Sequence, residues 1–139
     1  MPADLKKFLL FADFTQEELE KARGISRREQ ISQGQYAFQE DKPGDTLILL
    51  ELGTLRLTKK TKKGEDQELV QLGSGTYVGE MSFFDQGLRS ASGVAMEPCQ
   101  VTVIPIQDLR SLLDKNPSMG AKFYRHMAMG ISQRLKYLN

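Results

Sequence analysis

The chain has 139 residues, 40% of them apolar and 27% charged, enough for one globular domain with its own core. Its 19 basic and 18 acidic side chains leave a formal net charge of +1, which excludes a protein that coats nucleic acid by bulk charge. A single cysteine, Cys99, and a single histidine, His126, exclude an internal disulfide, a thiolate-rich zinc or iron–sulfur site and a two-histidine metal site.

In chain order, residues 1–25 read as helical. Residues 1–13 lack the charge–apolar–small order of a signal peptide, and no apolar run in the chain is long enough to span a bilayer, so a cytoplasmic protein is expected. Leu5, Phe8 and Leu9 share a helical face. Thr15, followed three residues on by Glu18, has the pattern of a capping box. Leu19 and Ala22 continue the apolar stripe and Gly24 offers a stop.

From about residue 28 the period shortens. Segments rich in β-branched and aromatic residues are separated by turn signals at Gln33-Gly34, Lys42-Pro43-Gly44-Asp45, Gly53, Lys63-Gly64-Glu65-Asp66, Gly73-Ser74-Gly75 and Gly87. Such spacing predicts antiparallel strands, not βαβ units. "TLILLELGTLRLTKK" and "DQELVQL" are expected as successive hairpin strands, the second hairpin turning at Lys63-Gly64-Glu65-Asp66. "SASGVAM" and "CQVTVIPI" supply the last two, broken at Glu97-Pro98 because proline cannot donate to a central ladder.

Residues 107–139 are helical again. Ile106 to Lys115 carries Leu109, Leu112 and Leu113 on one side, and Pro117 suits the first turn of a further helix. That helix has Phe123, Met127, Ile131, Leu135 and Leu138 near i, i+4 spacing, a stripe that serves equally as a dimer seam or as packing onto the strands. The expectation is one α+β domain: N-terminal helices over 1–25, an antiparallel β-barrel over 28–106, and C-terminal helices.

The stretch "YVGEMSFFDQGLRSAS", residues 77–92, carries the chemistry. Gly79 permits close backbone approach, and residues 80–84 are long enough for one helical turn whose free amides suit a phosphate. Arg89 offers a permanently charged fork for two phosphate oxygens, and Ser90 a hydroxyl beside it. Glu80 only accepts hydrogen bonds, so beside an anion site it suits a sugar hydroxyl. A nucleotide whose phosphate lies close to its ribose fits both. The Walker-type glycine loop with lysine is missing, as is a dinucleotide fingerprint. On residue types alone, a structural ion pair between Glu80 and Arg89 stands as the alternative.

"GEMSFFDQGLRSAS" resembles the phosphate-binding cassette of cyclic nucleotide-binding domains, the family of catabolite activator proteins, kinase regulatory subunits and cyclic-nucleotide-gated channels. "FADFTQEELEKA", "FQEDKPGDTLILLELGTLRL" and "IQDLRSLLDKNPSMGAKFYRHMAMGISQRL" extend the likeness over nearly the whole chain. The resemblance implies a jelly-roll barrel (a double-stranded β-helix), with the cassette at residues 79–92. It implies that Glu80 binds the ribose 2′-hydroxyl. Arg89 would pair with the cyclic phosphate, helped by backbone amides at Gly79, Met81 and Ser82 and by Ser90. Leu57 and Leu69 match positions that line the base, and Arg134 is the last-helix candidate to stack on it. Core packing for the two leucines and a solvated helix-terminal role for Arg134 are the bland alternatives.

Serine after the arginine leans toward cyclic AMP, with cyclic GMP or a cyclic dinucleotide as alternatives. The chain stops at Asn139 without the helix-turn-helix of activator proteins, so a stand-alone, non-enzymatic sensor is expected, with no direct DNA binding. Its output would be an effector protein, unidentified by the sequence, or movement of the C-terminal helices as binding draws the cassette and last helix toward the nucleotide. No catalytic residue, metal or cofactor is expected. The rivals are a protein-interaction scaffold that has lost ligand binding, a sensor of another small anion, and a phosphodiesterase, which one histidine supports little. Lys59, Lys60, Lys62 and Lys63 form a basic cluster that reads mainly as a charged hairpin tip.

Overall fold

The computed structural model describes residues 4–85 and 87–138, the last two of these by backbone alone, so Gln86 of the expected turn and the side chain of Leu138 lie outside it. The N-terminal apolar residues form two 3₁₀ turns, Leu5–Lys7 and Leu9–Phe11, in place of one continuous helix. Phe8 between them is extended, at φ −94° and ψ 136°. Four apolar residues in a row, Phe8 to Phe11, cannot share one α-helical face. The broken path instead buries Leu5, Phe8, Leu10 and Phe11 completely and leaves only Leu9 half-covered.

Helix α1 (Gln16–Gly24) starts with the expected capping box. The Thr15 amide donates to Glu18 Oε1 at 2.8 Å, and the Glu18 amide donates to Thr15 Oγ1 at 3.2 Å. Glu18 Oε1 also accepts from Lys122 Nζ at 2.7 Å, which ties the start of α1 to the last helix.

Eight strands follow: β1 (Arg27–Ile31), β2 (Tyr36–Phe38), β3 (Thr46–Leu52), β4 (Leu55–Lys60), β5 (Asp66–Leu72), β6 (Tyr77–Val78), β7 (Ser92–Ala95) and β8 (Cys99–Pro105). They make two antiparallel four-stranded sheets, ordered β1-β8-β3-β6 and β2-β7-β4-β5. This is a jelly-roll of two facing sheets flanked by helices, an α+β domain. One expected pairing differs. "TLILLELGTLRL" is not a hairpin: the chain crosses at Gly53 from one sheet to the other, and β3 pairs with β6 and β8 while β4 pairs with β5 and β7. The β4–β5 hairpin forms as expected, and at its tip Lys60 is bound to Asp66 at 2.9 Å.

The run Leu47-Ile48-Leu49-Leu50 is apolar without alternation because β3 is buried on both faces. Leu47 and Leu49 join a core with the helices, whereas Ile48 and Leu50 join a second core between the sheets. Beside them Glu51, only 2% exposed, accepts from Arg28, Gln100 and the Asp4 amide, each at 3.1 Å. Helices α2 (Ile106–Lys115) and α3 (Pro117–Leu138) close the helical core. Phe123 and Met127 of α3 pack inward with Phe11 and Phe14, so they are core and not a seam.

Candidate functional site

Gly79 follows β6 at φ +98° and ψ 1°, a left-handed conformation open to glycine at little cost. A β-carbon there would lie 2.4 Å from the Thr46 carbonyl oxygen, a backbone atom that cannot swing away. The glycine thus lets the chain turn closely over β3 into the 3₁₀ turn Glu80–Phe83. This turn buries Glu80 and Phe83 and leaves Met81 exposed. Phe83 packs against Phe123 with tilted rings, centroids 5.2 Å apart, so the cassette is keyed directly into α3.

On the far side of the cassette, the Arg89 amide donates to the Lys42 carbonyl at 2.8 Å, and the Asp41 amide donates to the Arg89 carbonyl at 2.9 Å. These bonds fix the backbone from which the guanidinium enters the cavity. Its Nη2 donates to the Thr46 carbonyl and hydroxyl, both at 2.9 Å, and the group lies over the Phe38 ring at 5.4 Å. Burial pushes the Arg89 pKa down, partly opposed by Asp45, and the net shift is downward. Among the described residues no carboxylate is ion-paired with it, and Nε and Nη1 remain as donors. A half-desolvated guanidinium with no carboxylate in ion-pair contact is a receptor for an anion.

Glu80, 3% exposed, is ion-paired with Arg134 of α3 and not with Arg89. The two charged groups of the cassette therefore do not neutralise each other. They line one cavity of about 280 Å³ together with Gly79, Met81, Ser82 and Ser90. Leu57 and Arg134 also line it. Leu69 is not among its lining residues. Leu57 pairs with Val70 and Thr58 with Glu68, so Leu69 is the extra residue of a β-bulge and is 51% exposed on β5. The Ser82 amide is already bonded to the Gly79 carbonyl at 3.1 Å, which leaves less donor capacity there than at Met81.

Sequence reasoning missed Phe38, Thr46 and Tyr77 as supports. The first two hold Arg89 from 51 and 43 residues away, and no local pattern marks them. Tyr77 lies in the quoted stretch and carries the Arg134 guanidinium over its ring at 5.4 Å. His126 is structural: Nδ1 lies 2.9 Å from the Lys122 carbonyl and Nε2 3.2 Å from Asp13.

A larger hollow, about 560 Å³, opens on the other side of Gly44 and Ser82. Its walls carry two carboxylates, Asp45 and Asp108, and its Arg110 is engaged by the Phe83 carbonyl at 2.7 Å. The smaller cavity holds the anion receptor and is the better candidate.

Known proteins resemble this chain in sequence and fold. Residues 28–116 match the model of the cyclic nucleotide-binding domain. The cyclic AMP receptor protein of Thermus thermophilus is 31% identical over 127 residues, which are 91% of this chain and 57% of that protein. Cyclic GMP-binding protein C of Dictyostelium discoideum is 29% identical over 108 residues, 77% of this chain but 4% of its own length. The crystal structure of a cyclic nucleotide-binding domain from Methylobacillus flagellatus has a TM-score of 0.83 at 28% identity, covering 96% of this chain and 75% of that one. The chain thus spans little more than half the length of the Thermus relative. With the family model covering β1 through α2 and the cassette's charges lining one cavity, this chain belongs to the cyclic nucleotide-binding domain family.

Proposed function

We propose that the protein is a cyclic nucleotide sensor, non-enzymatic, with cyclic AMP as its favoured ligand. The observation that carries this reading is Arg89: a half-buried guanidinium, in ion-pair contact with no carboxylate among the described residues, in one cavity with Glu80. In this reading Arg89 holds the cyclic phosphate with the Gly79 and Met81 amides and Ser90, while Glu80 accepts from the ribose 2′-hydroxyl. Leu57 would lie against the base. Serine at position 90 and the similarity to a cyclic AMP receptor protein favour adenine; the similarity to a cyclic GMP-binding protein keeps guanine as the alternative.

Occupancy would be read out as ligand-coupled movement of the C-terminal helices and relayed to an effector protein in the cytoplasm, without DNA contacts by this domain. Homodimerisation through α3 is part of the reading. It is supported by Tyr124, Leu135 and Ala128, exposed on α3 at heptad-like spacing around half-buried Ile131. In this reading the seam would lie one residue over from the buried Phe123 and Met127 stripe.

Calorimetry with cyclic AMP, cyclic GMP and cyclic di-GMP tests the reading on wild type and Arg89→Ala. Saturable binding of a cyclic mononucleotide, lost in the variant, is expected. Heat from none of the three would replace the sensor with a ligand-free scaffold.

A further inference from the structure

Helix α3 puts a cation into the cavity beside Glu80. Arg134, 54 residues from Glu80 in sequence, is ion-paired with Glu80 Oε1. Its Nη2 points at the Tyr77 carbonyl at 3.5 Å, and the guanidinium covers the Tyr77 ring at 5.4 Å. We propose that Arg134 is a latch, a built-in competitor that holds the ribose-binding carboxylate and the end of α3 together until ligand replaces it. This rests on the cyclic nucleotide reading and adds the regulation of that same site.

Three observations carry the latch. Glu80 is a carboxylate with a side chain only 4% exposed, and a buried carboxylate requires a partner in every state it occupies. Among the described residues its only ion-pair partner is Arg134. A ribose hydroxyl donated to Glu80 is the natural replacement, because it satisfies the same acceptor. Second, Arg134 is itself a wall of the cavity, whose 280 Å³ falls just below the usual range of small-molecule sites, about 300–1,000 Å³. Withdrawing the guanidinium removes that wall. Third, the two partners are unequal. The Arg134 side chain is 53% exposed and can pass into water, whereas Glu80 is fixed in the turn.

The latch also has something to release. Gly130 is the last buried residue of α3 among those described, and residues 132–136 are exposed throughout. Beyond Ile131, the hydrogen-bonding and charged contacts that tie the helix end to the domain among the described residues are those of Arg134 with Glu80 and Tyr77. Exchange of the Glu80–Arg134 pair for a Glu80–ribose bond therefore frees the last turns of α3. Binding and helix release become two sides of one equilibrium.

The test combines cyclic AMP titration of wild type and Arg134→Ala with amide hydrogen exchange across residues 131–136 of ligand-free wild type, Arg134→Ala and Glu80→Gln. Arg134 is half exposed and Glu80→Gln keeps the shape of the side chain, so both variants are expected to fold. Removing the competitor is expected to tighten binding by about fivefold or more, the low end of allosteric couplings. Exchange at the helix end is expected to be faster in both ligand-free variants, and in wild type once cyclic AMP is bound. Weaker or unchanged binding in Arg134→Ala, as a base-stacking role would give, overturns the latch. So does unchanged exchange in the ligand-free variants. If neither wild type nor Arg134→Ala binds a cyclic nucleotide, the functional reading falls. The latch as a competitor of ligand falls with it, and faster exchange in both variants would show only that the Glu80–Arg134 pair anchors the helix end.

Discussion

Gly130 of α3 lies so close to the hydroxyl of Tyr77 that a β-carbon there would be 2.6 Å from it. Helix propensity alone favours Gly130→Ala by about 1 kcal/mol. The clash opposes it, because Tyr77 is only 9% exposed and overpacking a filled site costs about 1–3 kcal/mol. Net destabilisation of about 1 kcal/mol is expected from denaturant unfolding of Gly130→Ala. Adding Tyr77→Phe, which deletes the hydroxyl, should recover part of the loss. A double-mutant cycle with no coupling would show that the contact does not seat the helix.

Arg89 carries charge into a half-buried site with no carboxylate in ion-pair contact among the described residues, Asp45 acting on it only from a distance. Replacing buried charge by an apolar side chain of similar size is often neutral or stabilising. Arg89→Met is therefore expected to melt at or above the wild-type temperature without ligand, while losing any melting shift on adding cyclic AMP. At about a hundred times the dissociation constant that shift corresponds to about 2.7 kcal/mol in wild type. A variant that is clearly less stable and still shifts with ligand would recast Arg89 as structural.

Gly79→Ala meets a left-handed φ and a backbone oxygen at once. The strain of the dihedral alone is about 1–2 kcal/mol, and the Thr46 carbonyl cannot move without distorting β3. Loss of nucleotide binding, with a visible drop in melting temperature, is the expected result. Calorimetry and a melting curve on one preparation check both.

Glu51 gives a pH dependence of defined sign. Burial pushes its carboxyl up, but hydrogen bonds from Arg28, Gln100 and the Asp4 amide outweigh this and hold it below the ordinary value of 4.5. A depressed folded value means the stabilisation is fully present above 4.5 and is lost as pH falls through the lower, folded value. Glu51→Gln is expected to be about 2 kcal/mol less stable at pH 7. Melting curves from pH 7 to pH 3 should show the two proteins converging in acid. A constant gap would mean that the charge of Glu51 is not what the network uses.

The homodimer proposed through α3 depends on its exposed stripe. Sedimentation velocity should find wild type as a dimer, and Leu135→Glu combined with Ala128→Glu as a monomer. Phe123→Glu is expected to unfold the domain instead, since Phe123 is fully buried in the helical core. Monomers in both wild type and the double variant would remove the dimer from the reading.

What the sequence determined by itself was whatever depends on neighbours along the chain. The capping box at Thr15 and Glu18, the helix Ile106–Lys115, Pro117 at a helix start and the turn after Gly79 all follow from local geometry, and all are present. The residues proposed to hold the ligand could be named from the sequence because they lie in one short stretch, and that stretch lines one cavity. The tertiary structure alone decided the rest. Four apolar residues in a row at Phe8 do not reveal that they make 3₁₀ turns, and one glycine at position 53 does not announce a change of sheet. The bulge that displaces Leu69 is a property of two strands, not one. Most of all, Arg134 carries no local sign of a partner. A charge on an exposed helix end becomes meaningful only because packing Gly130 on Tyr77 and Phe123 on Phe83 aims that end at Glu80.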